Sequence, residues 1–158
     1  MTDNYIGIMI ESLRRKRDVL TDILKLSEEQ SLLLDDPNLE PDTFEKNVNR
    51  KAALIDKLEQ LDTGFESLYD KVKEELESNR DIHKEQIRQM QELIRALTEL
   101  NMQIQATEAR NKEKATAKFA YIRQQAKEIR SSQKIVKEYY NNMMHKAYNE
   151  PHFLDNKK

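Results

Sequence analysis

The residues of this chain with the most obvious chemistry are three histidines, many carboxylates and a row of cations. His83, His145 and His152 could ligate a metal, but zinc needs imidazoles gathered at short, regular separations, and these three fall at no such spacing. Surface positions are the better reading for all of them. The carboxylates could serve as general acids and bases if two shared a desolvated cleft. Along strongly charged helices, however, they act as solubilising charge. No phosphate-binding glycine loop, nucleophile elbow or calcium loop occurs. With two glycines in the whole chain, a pocket that needs close backbone approach is hard to build. The reading is therefore a protein that is not an enzyme, with no cofactor and no metal.

The cations are more orderly. Arg123, Lys127, Arg130, Lys134 and Lys137 recur at spacings of four and three, along one side of a helix. Between Ala109 and Glu138 nine Lys or Arg face three Glu, a local charge of +6 in a chain whose net charge is −2. Such a stripe can bind phosphates. The remaining residues are acidic, and no aromatic side chain interrupts the stripe, so a solvated face beside an apolar seam is the favoured reading. The acidic group Glu28, Glu29, Asp35, Asp36, Glu40, Asp42 and Glu45 could answer it. No nucleic-acid partner is expected. The run Arg14-Arg15-Lys16-Arg17 points around the whole circumference of its helix and reads as surface for the same reason.

The elements that must carry these residues follow from composition. Charged residues make up 35% and hydrophobic ones 37%, with three prolines and no cysteine. That balance suits long helices packed along narrow seams, in a single domain spanning 1–158. Without cysteine there is neither a disulfide framework nor a thiolate site. No stretch approaches the roughly 20 apolar residues that cross a bilayer, and no signal peptide is apparent, so no stable membrane insertion is expected and the cytoplasm is the default.

Ile6, Ile10, Leu13, Leu20 and Leu24 mark one face of a first helix from about Asp3 to Leu34. The stretch from Asp35 to Pro41 reads as a helix–helix connection. Asp42 and Glu45 have capping-box spacing, and Phe44, Val48, Ala52, Ile55, Leu58 and Leu61 form the next stripe, with Gly64 as its expected end. From Phe65 to Glu150 there is neither glycine nor proline, and a break is expected at Ser78-Asn79-Arg80-Asp81. Leu13, Leu20, Leu24, Ile55, Leu58, Ile94 and Leu97 are the expected core.

Beyond that break a seven-residue apolar repeat holds at both ends and fails in the middle, where residues 105–118 contain no large apolar side chain. The expected organisation is a bundle core over 1–104, a polar segment over 105–118 with little to bury, and an amphipathic partner-binding helix and tail over 119–158. Phe119, Ile122, Ile129, Val136, Tyr140 and Met143 line one face of that last part, widened by Tyr139, Met144 and Tyr148. Such a helix would outreach the first one, so its late face must fold back, pair with another chain or await a partner. Methionine and tyrosine suit an adaptable apolar surface that also tolerates water. The expected fold is therefore all-α, an antiparallel helical bundle with a long, coiled-coil-like C-terminal helix.

The pattern RRKRDVLTDILKLSEEQSLLL, a short turn, then FEKNVNRKAALIDKLEQLD resembles the FlgN family of flagellar export chaperones. ELNMQIQATEARNKE is similar to the family's Leu-Asn-containing middle of the long helix, and AYNEPHFLDNKK to the tails of clostridial members. The resemblance implies a cytoplasmic chaperone of type III flagellar export. Its partners would be the hook–filament junction proteins, captured through a C-terminal amphipathic helix, and the flagellar export apparatus. The rival expectation is a self-associating coiled-coil scaffold or adaptor, using the same late face to form a homo-oligomer.

Overall fold

The computed structural model describes residues 2–144, and among them three helices and no strand. They are α1 (Thr2–Asp35), α2 (Pro41–Ser78) and α3 (Lys84–Met144). The chain divides into two compact units, Met1–Lys114 and Ala115–Lys158. The first is an all-α bundle built from α1, α2 and the beginning of α3.

α1 packs against both other helices of this bundle. It buries Ile6, Met9, Ile10, Leu13, Val19, Leu20, Ile23, Leu26 and Leu34, a stripe too wide for one neighbour. Between α1 and α2, Lys16 pairs with Asp62, and Lys71 lies over the Tyr5 ring. Rising numbers on one helix meet falling numbers on the other, so α1 and α2 are antiparallel. On α3, Asn111 meets Ser27 and Lys114 meets Ser31, so α3 runs parallel to α1.

The ends of the elements have local causes. Pro41 occupies the first turn of α2, after Glu40 in extended backbone, and no side chain caps that end. Proline's fixed φ and missing N–H suit that position. The helix therefore starts upstream of the expected Asp42–Glu45 capping box, and Asp42 lies in its first turn. Gly64 does not end α2. One glycine inside a helix costs about 1 kcal/mol, less than is gained by the packing of Phe65, Leu68, Val72 and Leu76 that follows it.

The break expected at 78–81 is present. The Asn79 N–H donates to Glu75 O at 2.9 Å, and its side-chain amide donates to Glu75 Oε2 at 2.9 Å. His83, expected at the surface, is buried. It folds back in the connection so that Nε2 lies 3.0 Å from that same Glu75 oxygen.

Leu13, Leu20 and Leu97 are buried as expected, and Leu58 and Leu24 are half-buried. Ile55 and Ile94 are exposed. On α2 the line facing the bundle runs through Lys51, Leu54, Leu58, Leu61 and Phe65, and on α3 through Met90, Leu93, Leu97, Leu100 and Ile104. Ile55 and Ile94 each sit one residue, about 100° of helix, off these lines.

The polar segment is the largest departure from expectation. Thr107 and Asn111 are buried against the bundle. Asn111 Nδ2 donates to Ser27 O at 2.8 Å and to Gln30 Oε1 at 3.1 Å, while Lys51 Nζ reaches the same Gln30 oxygen and both carboxylate oxygens of Glu108. Asn47 Nδ2 donates to Leu26 O and Glu29 Oε1, and Lys114 Nζ binds Ser31 Oγ and Asp35 Oδ2. Residues 105–114 thus have much to bury, in polar form.

Candidate partner-binding site

The second unit begins at Ala115, and its described part is the end of α3. Helix is favoured there by Ala, Gln, Lys, Arg and Glu without glycine or proline. Phe119, Ile122, Ile129, Val136 and Tyr139 are all exposed. Tyr140, Met143 and Met144 lie on α3, and Tyr148, with His145, His152 and the rest of the tail, lies outside the described residues. Ile122, Ile129 and Val136 recur every seven residues and share one face. Val136 also borders a shallow apolar groove with Ser132, Gln133 and Lys137.

Tyr121 and Ile135 are exposed as well, at 64% and 67%, although neither belongs to the expected face. Tyr121 Oη accepts a hydrogen bond from Gln125 Nε2 at 2.8 Å. These two escape a reading based on seven-residue spacing because they sit round the helix from the seam. Only their exposure reveals them.

The cation row lies on this same stretch. Arg123, Lys127, Arg130, Lys134 and Lys137 are exposed, and none has a carboxylate partner among the described residues. In the first unit Lys16, Lys51, Arg88 and Lys114 each hold an acidic side chain, while Lys25, Arg50 and Lys57 are exposed without one among the described residues. The arrangement offers apolar contact area and unneutralised positive charge. Among the described residues it contains no acid–base pair converging on a cavity.

No helix among the described residues is long and apolar enough to cross a membrane. No curated protein and no solved structure matches the chain. The family model described as FlgN protein matches residues 1–145. With that match over nearly the whole chain, and a helical bundle beneath it, the protein belongs to the FlgN family of flagellar export chaperones.

Proposed function

We propose that this chain holds hook–filament junction proteins in the cytoplasm before type III export, by binding a C-terminal amphipathic helix of the client along residues 119–148. The observation that carries the reading is the exposure of Phe119, Ile122, Ile129, Val136 and Tyr139 along one helix. A client end that is disordered when free can fold there, hiding apolar surface on both molecules. Each large side chain fully covered would contribute about 1.5–3 kcal/mol. Part of that gain is offset by the ordering of the client segment and the loss of its free motion. While bound, the client's apolar end is withheld from premature assembly. Delivery then requires a contact with the export apparatus. From their spacing in the sequence, Tyr140, Met143, Met144 and Tyr148 are proposed as further client contacts.

The test is Ile129→Asp combined with Val136→Asp. Two carboxylates in a closing apolar interface would be desolvated without partners. Calorimetry with the C-terminal segment of a junction protein should show binding to the parent chain and none to the double variant. Circular dichroism and thermal melting should be nearly unchanged. A large loss of stability without client would make the face ordinary core. Unchanged client affinity in a folded double variant would move the site elsewhere.

A further inference from the structure

The apolar row of the second unit has two unlike flanks. Ile122, Ala126, Ile129, Gln133 and Val136 alternate at spacings of four and three, the a and d positions of a coiled-coil seam. On that frame Arg123, Arg130 and Lys137 all take position e, with Lys127 and Lys134 just outside them. The five cations therefore lie together on one side, roughly 60–140° round the helix from the seam. Position g on the other side holds Gln125, Ser132 and Tyr139, none of them charged.

Charges at e and g choose the partner and its direction. A second copy of this chain is a poor occupant by that criterion. Antiparallel pairing would set e against e, cation facing cation at each step. Parallel pairing would set e against the uncharged g row and leave the cations unanswered. Gln133 within the seam further weakens a self-paired interface. A phosphate polymer would answer the charges but leave the apolar seam in water.

We propose that the seam is built for an acidic amphipathic helix of another protein, apolar along its own seam and bearing Asp or Glu on the flank that meets Arg123, Arg130 and Lys137. This rests on the reading of residues 119–148 as the client site and specifies the client's charge. The cations then have two uses. They steer a negatively charged segment toward the seam, and they admit only the rotation and direction in which its carboxylates meet position e.

The experiment uses two helical peptides, each about four heptads long, with the same apolar seam and either Glu or Lys at the flanking positions. Fluorescence anisotropy with the full chain should show the Glu peptide binding at least about tenfold more tightly than the Lys peptide, a gap that narrows as salt screens the flank. The triple variant R123E/R130E/K137E should invert the order. Equal affinities, failure of the Glu peptide to bind, or an unchanged order in the triple variant would overturn the proposal. So would a concentration-dependent homodimer dissolved by I129D/V136D, or RNA or anionic vesicles displacing the Glu peptide. The client site itself is judged separately. A junction-protein segment that is lost with I129D/V136D but indifferent to the triple variant would overturn the charge rule alone. Binding indifferent to I129D/V136D would remove the site.

Discussion

The ion pair between α2 and α3 can be broken from either side, and the two sides should cost different amounts. Lys51 Nζ lies 2.7 and 2.8 Å from the two oxygens of Glu108 and 3.1 Å from Gln30 Oε1. The lysine side chain is 9% exposed and the glutamate 39%, so the acid can turn to water and the ammonium cannot. Glu108→Ala strands a buried charge on one neutral acceptor. Removing one partner of a closed pair costs about 3–5 kcal/mol, and the openness on the glutamate side brings the expectation here to about 2–3 kcal/mol. Lys51→Met removes the charge itself and keeps an aliphatic stem in the same space. Gln30 Oε1 still accepts from Asn111 Nδ2, so the loss should stay within about 1 kcal/mol. Urea unfolding at constant slope measures both. Adding Glu108→Ala to Lys51→Met should then cost almost nothing, because the charge it would strand is gone. Equal losses in the two single variants, or a full Glu108→Ala cost in the Lys51→Met background, would refute this reasoning.

Leu20→Ala and Leu97→Ala should each lose about 2–5 kcal/mol in thermal or urea unfolding, and unchanged midpoints would mean that the bundle seam is misplaced. Amide exchange should stay slow from Ile87 through Lys114 and quicken after Ala115, where the described large apolar side chains are exposed; equal protection on both sides would contradict this. His83, and after it Asn79, hydrogen-bond the Glu75 carboxylate and lower its pKa from the usual 4.5. The resulting stability should be complete above about pH 4.5 and fade as pH falls through the depressed value. His83→Ala should flatten this acid limb of the stability curve, and an unaltered limb would show that the contact does not form in solution.

Much of the architecture is legible in the sequence because punctuation and periodicity agree. Pro37 and Pro41 bracket one connection, and the Ser78–Asp81 cluster marks the other without glycine or proline. Apolar spacing finds Leu13, Leu20 and Leu97 but misplaces Ile55 and Ile94. Both sit beside a seam whose line is set by the neighbouring helix, and one residue of rotation separates the two choices. His83 was missed because a lone histidine carries no spacing to interpret. Its burial depends on Glu75, eight residues back across a turn.

The polar layer was illegible for a deeper reason. Lys51, Glu108, Asn111 and Lys114 are the residue types of a solvated helix face, and nothing local separates them from Arg123, Lys127 or Arg130. The difference lies across the bundle, where Lys51 meets an acid 57 positions away and Lys114 one 79 positions away. Asn47 Oδ1, Asn111 Oδ1 and Ser27 Oγ are buried there without a hydrogen-bond partner among the described residues, so the layer is costly relative to an apolar one. Its use is to specify register. Sliding α3 by one turn would strand Lys51, Asn111 and Lys114 together, whereas the leucines beside them could repack. A seam of leucine alone would hold α3 as firmly but tolerate several alignments. Lys51 and Lys114 therefore align the bundle because their acidic partners, Glu108 and Asp35, are already within the chain. Under the reading proposed above, Arg123, Arg130 and Lys137 keep their charge for an acidic partner from outside the chain.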